Sequence, residues 1–151
     1  MTCTGTDNYI DDELYRIIKS VLPVFCIDLL VFNPVKRTVI LCKRNNEPAK
    51  GMWWLPGGRL QKGEETLDAV GRIAKEELGI VAVTYQEIGF YNLQLGDVHT
   101  PLLAVLVRSQ NENVALDNQH SEYVLANENW IRGLSTDLYI PTVIRDSRVF
   151  E

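Results

Sequence analysis

The chain predicts an α/β fold, an α/β/α sandwich around a mixed central sheet. Three observations carry that expectation: helix signals at three places, nearly continuous apolar runs of strand length between them, and Pro, Gly or Asn at the junctions. Asp11 to Leu22 sets Leu14, Ile17, Ile18 and Val21 at three-and-four spacing, an amphipathic helix that Pro23 ends. Pro23 to Phe32 is an almost unbroken apolar run, read as a buried strand with Asp28 conspicuous inside it. Asn33-Pro34 marks a turn, and Thr38 to Cys42 reads as the hairpin partner, ending in Lys43-Arg44. Asn45 to Gly51 is a loop, and Met52 to Leu55 a short bulky segment stopped by Pro56-Gly57-Gly58. Glu65 to Leu78 is the clearest helix, and Gly79 stands where a left-handed C-cap belongs. Ile80 to Leu95, Leu102 to Val107 and Ser121 to Ala126 read as strands. Ile140 to Phe150 starts a helix with Pro141 in its first turn.

The 151 residues fit one domain spanning 1–151, and 46% hydrophobic against 23% charged is an ordinary globular balance. No apolar run approaches the roughly 18 residues that span a bilayer. Met1 to Asp12 is polar and acidic, without the basic-then-apolar order of a signal peptide. A cytoplasmic protein with no membrane partner is the expectation. Cys3, Cys26 and Cys42 cannot all pair and form no CxxC, which agrees with a reducing compartment. The net charge of -5 argues against broad nucleic-acid binding, which rests on phosphate neutralisation. An acidic chain can still hold a phosphate compound where basic groups or a metal ion concentrate in one cleft.

The chemistry concentrates between Gly57 and Ile80, GGRLQKGEETLDAVGRIAKEELGI. A glycine-rich loop, Gly57-Gly58, feeds a helix that carries carboxylates, so a backbone carbonyl can turn toward a ligand. Arg59 and Lys62 can supply positive charge to a phosphate, and the helix offers Asp68, Glu76 and Glu77. On a helical wheel Leu67, Val70, Ala74 and Leu78 form the core stripe. Glu77 lies at its margin beside Val70 and Ile73, whereas Glu76 points away and can pair with Arg72. A carboxylate half-buried at a core margin is costly unless a cation meets it, which makes Glu77 the better metal-ligand candidate. Magnesium suits such a site, since it needs only one or two carboxylates plus substrate phosphates. From the residues alone, a metal site and a solvated surface helix both remain open.

This stretch resembles the Nudix box, G-x5-E-x7-R-E-U-x-E-E-x-G-U with U a bulky aliphatic. Gly58, Glu64, Arg72, Glu76, Glu77, Gly79 and Ile80 stand at the required spacings, with small Ala74 at the remaining aliphatic position. The resemblance implies helices sandwiching a sheet, a divalent metal, and hydrolysis of nucleoside diphosphates linked to another moiety. One departure is Ile73, where the family has a metal-binding glutamate. Its loss favours one magnesium over two or three and weakens two-metal attack at phosphorus.

That departure is similar to one branch of the family, the GDP-mannose mannosyl hydrolases. KRNNEPAKGMWWLPGGRLQK from Lys43 to Lys62, DNQHSEY from Asp117 to Tyr123 and the closing IRDSRVF resemble it as well. The resemblance implies that the Gly57 carbonyl, Glu77 and Gln119 hold a single magnesium, with manganese an acceptable substitute. Arg44 and Arg59 would contact the diphosphate and offset leaving-group charge, and Asp28 would lie near the substrate. His120 would be the general base for water attacking the sugar's anomeric carbon, expelling a nucleoside diphosphate by C–O cleavage. The branch's tyrosine near Leu102 has no counterpart, because Pro101 and Leu102 occupy that region, and the short loop from Leu95 to Thr100 offers only His99 in place of its loop histidine. The partner implied is a small nucleoside diphosphate derivative such as a nucleotide sugar, and a homodimer is compatible with the family.

Plainer readings stand beside these. His120 can be a solvent-exposed turn residue, and Asp28 a buried partner for Arg44. Trp53 and Trp54 alternate, so one packs in the core while the other can face the cleft. Lys43 reads as solvated, and Glu64 with Arg72 as a brace between loop and helix. Two further functions stay open: cleavage of the P–O–P link with Glu76 and Glu77 assisting, and a non-catalytic nucleotide-binding module.

Overall fold

Strand alternation sorts the apolar residues onto two faces of one sheet in the computed structural model of the chain, which describes residues 9–47, 49–134 and 139–151. Expectations that rest on residues 1–8, Cys3 among them, and on Pro48 of the Asn45–Gly51 loop lie outside the described residues. The elements run α1 (Asp12–Val21), β1 (Cys26–Asn33), β2 (Thr38–Arg44), β3 (Trp53–Trp54), β4 (Gly57–Arg59), α2 (Thr66–Leu78), β5 (Gln86–Leu95), β6 (Val98–Arg108), β7 (His120–Ala126), α3 (Glu128–Arg132) and α4 (Tyr139–Ser147). The sheet order is β3-β2-β1-β6-β5, with β4 also against β1 and β7 against β2. Among the described residues only β1 and β6 pair in parallel, so the sheet is mixed.

Because successive strand residues point to opposite faces, Leu30 and Phe32 of β1 enter one core with Val39, Leu41, Leu102, Ala104 and the α4 residues Ile140, Val143 and Ile144. Ile27, Leu29 and Val31 enter the other, with Ile40, Cys42, Val105, Val107 and the α2 residues Val70, Ile73, Ala74 and Leu78. Helices therefore cover both faces, the α/β/α arrangement. Among the described residues no helix is long and apolar enough to cross a membrane, and Cys26 and Cys42 are free thiols.

Several local expectations need correction. The strand expected from Ile80 begins only at Gln86, where β6 offers a partner through Gln86↔Leu106. Gly79, at φ +65°, closes α2 first, and the Ile80 N–H donates back to the Ala74 carbonyl at 3.1 Å. Leu95 to Thr100 is not a free loop, since β5 and β6 turn at Gly96-Asp97 and pair Leu95↔Val98 onward. The short helix α3 carried no strong period and was not expected; Asn127 caps it by accepting from the Trp130 N–H at 2.9 Å. Helix α1 forms as expected, but Leu14, Ile17 and Val21 are exposed, and only Tyr15, Ile18 and Lys19 are partly covered. Leu67 of α2 is exposed too, and Ala69 and Ile73 take its place in the buried stripe.

Gly57-Gly58 is a strand and not a loop, pairing Asp28↔Gly57 and Ile27↔Gly58. Neither glycine adopts a positive φ; the reason for Gly57 is space. A Cβ there would stand 2.0 Å from Asp28 Oδ1 and 2.9 Å from the Ile27 carbonyl oxygen. Gly57→Ala is expected to destabilise the fold by about 1–3 kcal/mol, as overpacking does, and chemical denaturation will measure it. Stability within about 0.5 kcal/mol of wild type would mean that Asp28 moves aside freely.

Candidate active site

Strand β4 is a thin wall with one carboxylate on each side. On the Gly57 side stands Asp28; on the Gly58 side a Cβ would meet Ile73 at 3.4 Å and Glu77 Oε1 at 3.8 Å. The Arg72 guanidinium fixes the turn between β4 and α2, with Nε 2.6 Å from Glu64 Oε1 and Nη2 donating to the Arg59 carbonyl at 2.9 Å. Glu64 Oε2 accepts from the Gln61 N–H at 3.0 Å. That is the brace expected from the spacing of Glu64 and Arg72. Glu76 is exposed and sits 3.3 Å from Arg72, as its place on the wheel required.

Glu77 is 6% exposed and accepts a hydrogen bond from the Gly57 N–H at 3.0 Å. Burial pushes its carboxyl from 4.5 up to about 8, and the nearby Asp117 and Asp28 push the same way, against the Gly57 bond and Arg44. Each pH unit is about 1.4 kcal/mol, so a rise of several units exceeds what one charged hydrogen bond returns, roughly 1.5–3 kcal/mol. Alone, Glu77 holds its proton at neutral pH; a hard cation beside it would release that proton. The donor chemistry fits magnesium on these terms. Among the described residues no three His, Cys, Asp or Glu side chains converge as a ligand set, so the remaining ligands would be neutral oxygens, such as the Gly57 carbonyl and the Gln119 amide, and substrate phosphate.

His120 is not a solvent-exposed turn residue. It opens β7 with its side chain only 4% exposed, Nδ1 2.8 Å from Asp117 Oδ1 and Nε2 3.9 Å from Glu77 Oε2. A carboxylate at Nδ1 favours the tautomer that leaves Nε2 as the proton acceptor. Asp117 also accepts from the Gln119 N–H at 3.2 Å. The functional reading of the DNQHSEY stretch passed over Asp117; its place three residues before His120 was the available signal.

On the other side of β4 lies a cavity of about 350 Å³, whose lining includes Asp28, Arg44, Gly57, Arg59 and Gln119. The expected site residues thus fall into two groups. Asp28, Arg44, Arg59, Gly57 and Gln119 share the cavity, while Glu77 and His120 do not line it. Asp28 is buried and accepts from the Tyr139 hydroxyl at 2.7 Å. Burial raises its carboxyl to about 6, against the Tyr139 bond, Arg44 and a hydrogen bond from Trp54. Tyr139 lies 111 residues from Asp28, and no sequence signal linked the two. Trp54, the buried tryptophan, is also the one at the cavity, whereas Trp53 packs edge-on against Trp130. Lys62 and Asp68 are exposed and do not line the cavity. Lys43 pairs with Glu122 at 3.1 Å. Val98 and Thr100 line the cavity, so His99 between them points away, 2.6 Å from Asn92 Oδ1.

Known proteins are similar to this chain in sequence and fold. A family model described as the NUDIX domain matches residues 23–135. The low-salt glycan biosynthesis protein Agl8 of Haloferax volcanii is 34% identical over 120 residues, covering 74% of this chain and 75% of that protein. An ADP-ribose pyrophosphatase of Methanocaldococcus jannaschii is 36% identical over 82 residues, 54% of this chain and 46% of its own length. Among solved structures, a MutT protein from Methanosarcina mazei Go1 superposes with a TM-score of 0.75 at 26% identity, covering 85% of this chain and 96% of that one.

The Glu77 environment sets a pH dependence. Between 4.5 and about 8 the folded metal-free state keeps a proton that the unfolded chain has released. Stability should therefore fall as pH rises through that window, by up to about 1.4 kcal/mol per pH unit, and Asp28 should add to the slope below about 6. Thermal unfolding in chelator from pH 5 to 8 measures this, and Glu77→Gln should flatten the slope above pH 6. An equal slope in that variant would remove Glu77 as its source.

Proposed function

The chain belongs to the Nudix hydrolase family, and from that premise we propose that it hydrolyses a nucleoside diphosphate joined to a sugar, releasing nucleoside diphosphate and free sugar by C–O cleavage. The observation that carries this reading is the line Asp117–His120–Glu77 behind the arginine-lined cavity, with Nδ1 of His120 anchored 2.8 Å from Asp117. An imidazole anchored at Nδ1 keeps its other nitrogen as the proton acceptor, which is what a general base needs. Ile73 supports the same reading. It fills the position of a metal-binding glutamate with an apolar side chain 1% exposed, so the site carries less negative charge for a multi-metal attack at phosphorus. The name of the Haloferax relative, a glycan biosynthesis protein, is in keeping with a sugar-bearing substrate.

In the proposed step His120 Nε2 takes a proton from water as the water oxygen bonds to the anomeric carbon. The carbon–oxygen bond to the diphosphate breaks, and its electron pair leaves with the nucleoside diphosphate. Arg44 and Arg59 bear part of that charge. Asp28, held by Tyr139, accepts a hydrogen bond from a substrate hydroxyl or amine. When bound, magnesium or manganese supplies charge neutralisation at the diphosphate oxygens, and Glu77, the Gly57 carbonyl and Gln119 are the residues that would hold it.

A second reading keeps the fold and cleaves the P–O–P link. It is favoured by the burial of His120 away from the cavity lining and by the name of the Methanocaldococcus relative, an ADP-ribose pyrophosphatase. Glu77 and Glu76 would assist in it, Glu76 from an exposed position where it now pairs with Arg72.

Hydrolysis of GDP-mannose and ADP-ribose with magnesium in oxygen-18 water separates the two. Label in the sugar is expected; label in phosphate supports the second reading, and no turnover of either overturns both. His120→Gln is expected to lower turnover by about two to four orders of magnitude. Near-full activity in that variant would take His120 out of the mechanism.

A further inference from the structure

Helix α1 lies outside the stretch that matches the family model, residues 23–135, yet two of its side chains, Tyr15 and Lys19, line the same cavity as Arg44 and Arg59. Burial does not account for its orientation. The helix buries no residue, and three of its four large aliphatic residues, Leu14, Ile17 and Val21, face solvent. The partly covered residues are Tyr15, Ile18 and Lys19, at i, i+3 and i+4 on one face. Burial raises the Tyr15 hydroxyl, and Arg59 and Arg44, which line the same cavity, act against that rise. Lys19 Nζ stands 4.6 Å over the Tyr15 ring, a contact that steadies a long side chain without neutralising it. Among the described residues no carboxylate lies within ion-pair distance of Lys19. In a chain of net charge -5, the cavity wall carries Lys19, Arg44 and Arg59 against Asp28 and Glu47.

We infer that Lys19, propped on the Tyr15 ring, is a substrate-binding residue that selects for a second phosphoryl group, the third cation of the diphosphate site. The inference rests on the nucleoside diphosphate reading above. An ammonium meets phosphoryl oxygens through charge-assisted hydrogen bonds, and the added charge of a diphosphate over a monophosphate is what a third cation can detect. Tyr15 is a positioning residue: its ring face matters and its hydroxyl does not.

Calorimetric titration of GDP, ADP and the matching monophosphates with magnesium tests this without any bond being cleaved. Lys19→Gln is expected to weaken the diphosphate that wild type binds by about tenfold and the monophosphate by less than threefold. Its melting temperature should stay unchanged. Tyr15→Leu should reproduce that loss, while Tyr15→Phe keeps wild-type affinity. In turnover, Lys19→Gln should raise KM with kcat within about twofold. Diphosphate affinity of Lys19→Gln within twofold of wild type overturns the inference and leaves the nucleotide reading standing. Failure of wild type to bind either diphosphate overturns both.

Discussion

The buried carboxylate of Glu77 is the constraint around which this site is organised. A carboxylate at 6% exposure has lost most of its water, and the Gly57 N–H restores only part of that loss. Its neighbours follow from this. Gly58 contributes no side chain, so β4 lies close over the end of α2. Ile73 is apolar and buried, so it adds no second carboxylate beside Glu77. His120, with Asp117 at its other nitrogen, completes the polar surroundings. A site built this way is poised for a cation, and without one Glu77 keeps its proton.

Two glycines turn that local constraint into a two-sided site. Gly57 lets Asp28 approach the strand from the cavity, and Gly58 lets Ile73 and Glu77 approach from the helix side. Neither residue is needed for an unusual backbone angle. The wall separating the cavity's Arg44 and Arg59 from the buried carboxylate is therefore only one backbone thick. Asp28 in turn depends on α4, where Tyr139 donates to it at 2.7 Å and stacks near Trp54. The closing helix thus reaches the site, although it lies beyond the matched residues 23–135.

Charge is distributed against the average of the molecule. The chain carries -5 overall, yet Arg44, Arg59 and Lys19 line one cavity. The acidic surplus lies on exposed surfaces such as the start of α1, where Asp11, Asp12 and Glu13 sit together. A local reversal of this kind suits a small anionic ligand and disfavours a long polyanion, which would meet the acidic surface beyond the cavity.

The parts legible in the sequence were those set by local rules. The spacing of Val70, Ala74 and Leu78 with Gly79 behind them marked α2 and its end, since a helix's core stripe and left-handed cap need only near neighbours. The hairpin of β1 and β2, the Glu64–Arg72 brace, the Arg72–Glu76 pair and the marginal place of Glu77 follow from the same short-range geometry. What required the folded chain were contacts between distant segments. The Ile80–Tyr85 stretch looks like a strand but pairs with none among the described residues, because pairing depends on where β6 lies. Leu14, Ile17 and Val21 of the α1 stripe face water, and only Ile18 is partly covered. Tyr139 reaches Asp28, and Lys19 reaches the arginine cavity, only through packing across the sheet. Periodicity and spacing determine which elements form and where each side chain points from its own backbone. Only tertiary structure decides what each side chain meets, because burial and charge pairing depend on groups far away along the chain.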